Sequence, residues 1–267
     1  MTVPAKRDGD VHDAELAAIY DAVHGHRDDG GFWHEVTAAA AGPILELGCG
    51  TGRVLLPLAR SGRAITGLDL SGAMLEHCRA RLADEPPEVG DRVRLVESDM
   101  TSFDLGRRFA AIICPFGGFQ QLRTVEQQLA CLGRCREHLL PRGRLVLDVQ
   151  NPDPAPPSHV RDEPGGEGEA SGTVVEWTGG RRIRWWTRVT RYDRLHQCNE
   201  CEVTYEIVDA DGAARLVTET VVVRYIFRFE LEHLLVRAGF RVVALYGDYD
   251  SSPFDGGSLA MIFVAEP

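Results

Sequence analysis

Three glycines at alternate positions, preceded by a carboxylate, are the residues of this sequence whose spacing most clearly points to chemistry. The run Ile44–Arg53 reads Ile-Leu-Glu-Leu-Gly-Cys-Gly-Thr-Gly-Arg, so Glu46 stands two residues before the first glycine. Gly48, Gly50 and Gly52 lack a Cβ, and their backbone can therefore lie close to a ligand. This spacing predicts a backbone cradle for a nucleotide-like ligand, and it differs from the Gly-x-Gly-x-x-Gly pattern of dinucleotide sites.

Two further carboxylates each follow an apolar segment, at the point where a parallel strand is expected to end. Asp69 ends the segment Arg63–Asp69, and a carboxylate there can accept hydrogen bonds from both hydroxyls of a ribose. Asp99 lies near the end of the segment Val93–Met100, the third predicted strand. There its carboxylate and the Met100 backbone are suited to bind an adenine amino group. Either acid alone is equally compatible with an ordinary buried strand, but the segments occur in the order that a nucleotide-binding sheet requires.

The segments next to these acids supply apolar contacts for the same ligand. Ser71 is expected to cap a helix that carries Met74, whose side chain is suited to lie on an adenine ring, close to Leu70. A fourth strand is predicted over Phe109–Phe116, and the turn at its end would face the rest of the ligand.

Holding these residues in place requires a sheet of parallel strands with helices on both faces. With 267 residues, 44% of them hydrophobic, the chain can bury one large α/β core. Periodicity predicts helices over Arg53–Ala59, Thr124–Leu139 and Phe229–Ala238, a fifth strand over Gly143–Val149, and a closing antiparallel pair over Phe240–Tyr246 and Leu259–Ala265. Pro141 and Gly143 are expected to stop the second of these helices.

The hydrophobic period changes to that of β-strands in the segment 151–228. A loop rich in proline and glycine, Asn151–Gly172, leads into four alternating stretches: Thr173–Thr178, Arg182–Tyr192, Leu195–Val208 and Leu216–Phe227. We predict an inserted antiparallel β subdomain over 151–228, and a nucleotide-binding domain that includes the N-terminal helices over 1–150 and 229–267. Because the insert follows strand five, it is expected to form a substrate pocket or a dimer surface.

One predicted strand of the insert has two unlike faces. Three basic residues share one face: Arg182, Arg184 and Arg188. Three apolar residues share the other: Ile183, Trp185 and Val189. The simpler interpretation pairs the arginines across strands with Glu200, Glu202 and Glu206, and the alternative is a site for a phosphorylated or carboxylated substrate. The apolar face must be covered by the cleft or by a second subunit, so we predict a homodimer.

The charge balance limits the partners of this protein. Lys and Arg number 29 against 40 Asp and Glu, which gives a net charge of −11. Such a chain repels nucleic-acid phosphates unless it has a local basic patch. The N-terminal residues lack the apolar core of a signal peptide, and no apolar run is long enough to span a bilayer. We therefore expect a cytoplasmic protein that binds neither nucleic acid nor membranes.

The cysteines raise the question of a metal site. Their number, 7, is odd and fits reduced thiols. Cys198 and Cys201 form a Cys-x-x-Cys pair near His196, but a strand sends residues three apart to opposite faces, and no second pair completes a tetrahedral site. The turn Cys114–Gly117 after strand four also lacks a carboxylate for magnesium, so we expect no metal.

The Glu-x-Gly-x-Gly-x-Gly pattern, followed by the later acidic strand ends, resembles the S-adenosylmethionine-binding motif of class I methyltransferases. The resemblance implies S-adenosyl-L-methionine as the cofactor and a Rossmann-like, seven-stranded methyltransferase sheet. It implies that the following residues contact the cofactor: Tyr20, Trp33, Glu46, Gly48, Cys49, Gly50, Gly52, Arg53, Asp69, Leu70, Met74, Asp99, Met100, Cys114, Phe116 and Phe119.

From Ala14 to its end, the chain is further similar to actinobacterial small-molecule methyltransferases of secondary metabolism, which include amino-sugar N,N-dimethyltransferases. The matching segments are Ile19–Asp21, Pro115–Leu122, Val149–Pro152, Leu234–Phe240 and Tyr246–Asp248. The resemblance implies that Tyr20 and the aromatic pair Phe32–Trp33 fold over the cofactor as a lid. Amino-sugar enzymes have a histidine near the end of the loop after strand four, and Gln121 takes that position here.

Methyl transfer from a sulfonium demands little of the side chains. It is an in-line displacement, so alignment of the nucleophile about 3 Å from the methyl group, in a site that excludes water, supplies most of the acceleration. A neutral amine needs no base, whereas a phenol, an alcohol or an aromatic carbon needs one. The candidate residues are Tyr20, His24, Tyr249 and, as a hydrogen-bond acceptor only, Gln121. We predict transfer to N, or to an aromatic C or O, of a small-molecule acceptor.

Other functions remain open from the sequence. An RNA or DNA methyltransferase is disfavoured by the negative charge and by the lack of an Asn/Asp-Pro-Pro-aromatic motif after strand four. The sequence does not separate a protein methyltransferase, or a protein that binds the cofactor without catalysis, from a small-molecule enzyme.

Overall fold

The computed structural model describes residues 14–27, 29–38, 40–152 and 174–267, which form two β-sheets and seven α-helices. The helices are α1 (Ala14–His24), α2 (Gly30–Ala38), α3 (Leu55–Arg60), α4 (Gly72–Ala83), α5 (Pro87–Gly90), α6 (Val125–His138) and α7 (Arg228–Arg237). The strands are β1 (Ile44–Leu47), β2 (Ile65–Asp69), β3 (Val93–Glu97), β4 (Phe109–Cys114), β5 (Leu139–Gln150), β6 (Val174–Trp177), β7 (Arg181–Asp193), β8 (Cys198–Val208), β9 (Ala214–Arg224), β10 (Arg241–Tyr246) and β11 (Ala260–Glu266). Most of the predicted proline- and glycine-rich loop lies outside the described residues.

The large sheet contains seven strands in the order β10-β11-β5-β4-β1-β2-β3. β11 is antiparallel to both of its neighbours, and the other pairs are parallel. β1 and β4 are buried along their whole length, as expected for parallel strands with helices on both faces. The predicted α/β sheet with a closing antiparallel pair is confirmed, and so is the antiparallel insert after strand five.

Several element boundaries differ from the prediction by a few residues, and two of these differences have a clear cause. The helix after the glycines begins at Leu55, because the residues before it form a turn in which Gly52 donates to the Cys49 carbonyl at 2.9 Å. Strand five begins at Leu139, directly after α6, and not at Gly143. Pro141 is tolerated inside this strand because the β4–β5 register is irregular there, so a missing N–H breaks no regular ladder.

The small sheet is antiparallel, in the order β6-β7-β8-β9, and one of its faces packs on α1. Ile183, Tyr205 and Ile207 on that face are buried together with Leu16 and Ile19 of the helix. Each such side chain contributes roughly 1.5–3 kcal/mol when it leaves water. The apolar face that was expected to meet the cleft or a second subunit is therefore covered, over this stretch, by a helix of the same chain.

The opposite face of the small sheet carries the arginines of β7. Arg184 donates to Glu206 at 2.9 Å, and Arg188 donates to Glu202 at 2.8 Å. These two pairs agree with the simpler interpretation, whereas Arg182 lies opposite Val208 and Glu200 lies opposite Arg191. Exposed ion pairs of this kind contribute about 0–1 kcal/mol each, so they help to define the strand register more than they stabilise the fold.

A buried amide and a buried arginine join the small sheet to the large one. Gln120 donates to the Arg224 carbonyl at 3.1 Å and accepts from the Gln150 N–H at 2.9 Å. The Arg224 guanidinium in turn donates to Glu230 of α7 at 2.9 Å. These hydrogen bonds link the end of β9 to β5 and to α7, so the insert has a defined junction with the large sheet.

All seven cysteines are free thiols. Cys198 is buried and Cys201 is partly exposed, three residues apart on β8, a spacing that sends side chains to opposite faces. Within the described ranges, no group of three His, Cys, Asp or Glu residues is arranged to hold a metal ion. None of the helices in the described part of the chain is long and apolar enough to cross a membrane.

We expect Gly52→Ala to destabilise the fold more than Gly62→Ala. Both glycines have positive φ values, +87° and +92°, so alanine costs about 1–2 kcal/mol at either position. A Cβ on Gly52 would also lie 2.7 Å from the Cys78 sulfur, whereas a Cβ on Gly62 meets open space. Crowding of this kind adds about 1–3 kcal/mol. Urea unfolding of both variants measures the difference, and equal losses would contradict tight packing at Gly52.

Candidate active site

The turn after β1 is tied to the end of β2. The N–H groups of Gly48 and Cys49 both donate to the Leu68 carbonyl, at 2.7 and 3.0 Å. The next N–H, that of Gly50, donates to Asp69 Oδ2 at 2.8 Å. The predicted glycine turn and the predicted ribose-binding carboxylate therefore meet at one edge of the sheet.

Asp69 also holds the start of α4. Its Oδ1 accepts from the Ser71 N–H at 2.9 Å, and Ser71 Oγ accepts from the Met74 N–H at 3.2 Å, so the predicted helix cap is present. Met74 is buried, and Leu70, between the acid and the helix, is 63% exposed. The acid and the two apolar side chains thus form one corner beside the glycine turn.

Asp99 and Met100 follow β3 at the same edge of the sheet. Asp99 is exposed, and its Oδ1 accepts from both the N–H and the hydroxyl of Thr101 at 2.7 Å. The terminal methyl carbon of Met100 lies 3.9 Å from the position that a Cβ on Gly48 would occupy. The end of β3 therefore borders the glycine turn, as the sequence predicts.

Asp21 of α1 fastens this helix to the glycine turn. Its Oδ1 accepts from the Thr51 hydroxyl at 2.8 Å and from Arg81 of α4 at 2.5 Å. Arg81 also donates to the Thr51 carbonyl at 3.1 Å, and His77 Nε2 lies 3.5 Å from Asp21 Oδ2. Sequence reasoning did not name Asp21 as a site residue, and its only signal was its place in the matching Ile19–Asp21 segment.

Four rings, those of Tyr20, His24, Phe116 and Trp185, form an aromatic cluster next to the glycine turn. Tyr20 Cε1 lies 4.0 Å from the position that a Cβ on Gly50 would occupy. The His24 ring centroid lies 4.8 Å from that of Tyr20, 5.2 Å from that of Phe116 and 5.5 Å from that of Trp185. The aromatic cluster thus connects α1, the turn after β4 and the insert.

Glu46 of β1 is a carboxylate with almost no exposure to water. It is 2% exposed, and its Oε2 has no hydrogen-bond partner in the described part of the chain. Burial raises the pKa of Glu46 to about 8, against the opposing effect of the Arg53 charge. A buried oxygen without a partner is costly in a folded protein and suggests a donor supplied by a ligand.

Two guanidinium groups flank the Phe116 ring. The guanidinium carbon of Arg27 lies 4.6 Å from the ring centroid, and that of Arg53 lies 5.5 Å from it. Arg53 forms an ion pair with Asp29, which also accepts a hydrogen bond from Trp33 Nε1 at 3.2 Å. Trp33 is fully buried, so its contact with the site runs through Asp29. Sequence reasoning did not name Arg27 or Asp29.

Phe116 adopts a left-handed backbone conformation directly after β4. Its φ is 55°, which is uncommon for a bulky residue. Its N–H donates to Asp148 Oδ2 at 2.8 Å, and the Tyr249 hydroxyl donates to the same oxygen at 2.5 Å. Asp148 was not named as a site residue from the sequence. Like Asp69, it is an acid near the end of a predicted parallel strand, and this position could have indicated it.

The remaining candidates lie at the margins of the site. Cys49, Cys114 and Phe119 have side chains that are 4%, 0% and 0% exposed, so they offer the site mainly backbone atoms. Gln121 is exposed, whereas its neighbour Gln120 is buried at the junction of the two sheets.

Comparison with known proteins agrees with this geometry. A family model described as a methyltransferase domain matches residues 44–143. A dTDP-3-amino-3,6-dideoxy-alpha-D-glucopyranose N,N-dimethyltransferase from Streptomyces fradiae is 30% identical over 247 residues, which cover 88% of each chain. The chain belongs to the S-adenosylmethionine-dependent methyltransferases.

Solved structures extend the similarity over nearly the whole methyltransferase. The CcbJ methyltransferase from Streptomyces caelestis has a TM-score of 0.73 and 27% identity, covering 94% of this chain and 95% of that one. The S-adenosylmethionine-bound structure of CalS10, an amino pentose methyltransferase from Micromonospora echinaspora, has a TM-score of 0.67 and 28% identity, covering 93% and 94%. The predicted family, enzyme class, cofactor and small-molecule acceptor class are confirmed.

The described residues fit S-adenosylmethionine, which carries an ammonium, a carboxylate, a ribose and an adenine. We propose that the orphaned oxygen of Glu46 accepts from the ammonium, and that Arg27 pairs with the carboxylate. Asp69 would receive the ribose hydroxyls, and Met74 and Asp99 would border the adenine. When bound, the cofactor supplies an electrophilic methyl group on a sulfonium.

The polar candidates for proton transfer differ in protonation. Burial, together with the charges of Arg27 and Arg53, lowers the pKa of His24 to about 4. Burial raises the pKa of Tyr20 to about 12. Burial and the Asp148 carboxylate raise the pKa of Tyr249 well above its ordinary value. His24 is therefore neutral and only weakly basic near neutral pH, and neither tyrosine is ionised there.

We expect Asp69→Ala to weaken cofactor binding while the protein stays folded. Loss of charge-assisted hydrogen bonds to the ribose costs roughly 1.5–3 kcal/mol, about 10- to 100-fold in Kd. Asp84→Ala, which removes an exposed carboxylate at the other end of α4, is the control for the change in charge. Calorimetric titration with S-adenosylmethionine measures both variants, and an unchanged Kd in folded Asp69→Ala would reject the assignment.

We expect Glu46→Gln to stabilise the cofactor-free protein increasingly as pH rises from about 5 to 8. Between its ordinary pKa and about 8, Glu46 is ionised in the unfolded chain and protonated in the folded one, so wild-type stability falls over this window. The advantage of the variant should reach at least 1–2 kcal/mol, since one pKa unit corresponds to about 1.4 kcal/mol.

Urea unfolding at several pH values measures this difference, with Glu88→Gln, at an exposed position, as the control. The same substitution should weaken binding of S-adenosylmethionine, because an amide lacks the negative charge that attracts the ammonium. A stability difference that does not change with pH would contradict the raised pKa of Glu46.

Proposed function

We propose that this methyltransferase transfers the methyl group of S-adenosylmethionine to an amino nitrogen, and that the acceptor is an amino sugar linked to a nucleotide. The sugar is supported by similarity to the Streptomyces fradiae enzyme, an N,N-dimethyltransferase of a dTDP-linked 3-amino sugar, and to CalS10, an amino pentose methyltransferase. The choice of nitrogen as the methylated atom has separate support from the site itself.

The observation that carries the choice of nitrogen is the weak basicity of the polar side chains around the aromatic cluster. His24, with a pKa of about 4, is a weak base, and Tyr20, with a pKa of about 12, is protonated near neutral pH. The Tyr249 hydroxyl donates to Asp148. A phenol, an alcohol or an aromatic carbon needs a base in the transition state, whereas a neutral amine brings its own lone pair.

The position of the aromatic cluster supports the other requirement of methyl transfer, which is alignment of the acceptor in a site that excludes water. Tyr20 lies against the glycine turn, and His24 contacts Trp185 of the small sheet. An acceptor beside these rings would lie between the glycine turn and the insert, in surroundings that exclude water. Alignment and exclusion of water account for most of the acceleration in an in-line displacement.

The test is turnover of S-adenosylmethionine with a labelled methyl group against three acceptors. These are a dTDP-linked amino sugar, the same compound with a hydroxyl in place of the amine, and a phenol. We expect only the amine to be labelled, with one or two methyl groups on nitrogen by mass spectrometry. Labelling of the hydroxyl compound or the phenol would reject the amine. Absence of label on all three compounds, or label only on RNA or protein added in parallel, would reject the dTDP-linked amino sugar as the acceptor.

We expect kcat/KM to follow the ionisation of the acceptor amine and not that of a protein base. Because only the neutral amine is nucleophilic, the rate should rise with pH up to the pKa of the amine and then level off. An acceptor analogue whose amine has a lower pKa should shift the profile to lower pH by the same amount. A profile that stays in place when the amine is changed would indicate a basic residue in the site.

The proposal retains the domain limits, the homodimer and the cytoplasmic location predicted from the sequence. The domains are the nucleotide-binding part, 1–150 and 229–267, and the insert, 151–228. The apolar face that suggested a second subunit is covered by α1, so a dimer would have to use another surface. Light scattering of the purified enzyme, with and without S-adenosylmethionine, tests the homodimer.

A further inference from the structure

The turn that follows β4 is held by one residue of the neighbouring strand. The N–H of Phe116 donates to the Asp148 carboxylate at 2.8 Å, and the N–H of Gly117 donates to the Asp148 carbonyl at 3.2 Å. Phe116 and Gly117 have φ values of 55° and 66°, so both are left-handed. The side chain and the main chain of Asp148 thus each accept one N–H of the turn.

Tyr249 fixes the carboxylate that holds this turn. Its hydroxyl donates to Asp148 Oδ2 at 2.5 Å, the same oxygen that receives the Phe116 N–H. The Tyr249 ring is itself packed, with its centroid 5.8 Å from that of Phe32 and 6.4 Å from that of Trp33 on α2. The hydrogen bonds therefore run from a packed tyrosine, through a carboxylate that is 4% exposed, to the backbone of the turn.

The turn determines where the Phe116 ring lies. That ring centroid is 5.2 Å from His24 and 6.4 Å from Tyr20, and the Arg27 guanidinium lies over it at 4.6 Å. Within the aromatic cluster, Phe116 thus contacts both α1 and Arg27, which follows that helix. Because the left-handed backbone is unfavourable for phenylalanine, this position depends on the bonds that hold the turn.

We propose that Asp148 and Tyr249 are a positioning pair, which holds the left-handed turn at Phe116 and so sets the ring against which the acceptor amine is aligned. The proposal rests on the proposed transfer to a small amine. β4, β5 and β10, whose ends carry these residues, follow β1 on the side of the sheet away from Asp69 and β3. We therefore expect the pair to affect turnover of the acceptor more than it affects cofactor affinity.

The kinetic test compares Tyr249→Phe with Tyr246→Phe as a matched control. Both remove a hydroxyl, but Tyr246 lies at the end of β10, where its ring packs on Phe32 at 5.9 Å. We expect Tyr249→Phe to lower kcat about 10-fold and Asp148→Asn about 100-fold, since a misplacement of about 1 Å can cost 100-fold. The Kd of S-adenosylmethionine should change much less than kcat, because loss of alignment lowers kcat without an equal loss of ground-state binding.

Repeating the substitution in a Phe116→Gly variant distinguishes a positioning role of Tyr249 from a role in stability alone. In Phe116→Gly, the ring is absent and the left-handed turn carries no strain, so adding Tyr249→Phe should lower kcat no further. A role in stability alone would lower the melting temperature by the same amount in both backgrounds and leave kcat of the folded enzyme unchanged. Either that result, or a further fall in kcat in the glycine background, would overturn the positioning pair.

Crystal structures of Tyr249→Phe and Asp148→Asn test the same inference without an acceptor. We expect the Phe116 φ to leave the left-handed region, or the ring to move relative to His24. A ring that keeps its wild-type place in both variants would overturn the inference. If the wild-type enzyme methylates no amine, the proposed function has failed, and the crystallographic comparison still decides whether the pair holds the turn.

Discussion

The hydrogen bonds that Asp21 accepts from Thr51 and Arg81 hold α1 against the glycine turn, and the rest of the site depends on that contact. The opposite side of the same helix buries Leu16 and Ile19 in the small sheet. One polar and one apolar attachment thus fix a helix between two sheets. Tyr20 faces the glycine turn, and His24 meets the insert, because the helix between them has little freedom to rotate.

The buried carboxylates of the site are in unlike surroundings. Glu46 has an oxygen without a hydrogen-bond partner in the described part of the chain, so its charged form is unfavourable until a cation arrives. Asp148 also has a raised pKa from burial, but hydrogen bonds from Tyr249 and Phe116 support its charged form. One acid keeps an oxygen without a partner among the described residues, and the other is hydrogen-bonded within the chain. The guanidinium of Arg27 adds a local positive charge to a protein whose net charge is −11.

Structural features could be predicted from the sequence where all the interacting residues lie within one short segment. The glycine turn, the Ser71 cap and the alternation of the insert strands follow from spacing over a few residues, and the structure has them. Asp148 and Tyr249 are 101 residues apart, and Asp21 and Arg81 are 60 apart, so no local pattern links them.

Dependence on distant parts of the chain also limits the prediction of which single residues are buried and which sheet faces are covered. Gln120 is buried and Gln121 is exposed, a difference that depends on how one short turn docks onto the small sheet. The alternation of residues correctly predicted that Ile183 and Trp185 share an apolar face of β7. It could not show that α1 covers this face, because the covering element is set by tertiary packing.

The core of the small sheet is completed by residues of α1, which precede the glycine turn by more than twenty positions. Any natural or engineered exchange of the insert between relatives must therefore carry α1 with it to keep this core, although the chain separates the two by more than a hundred residues.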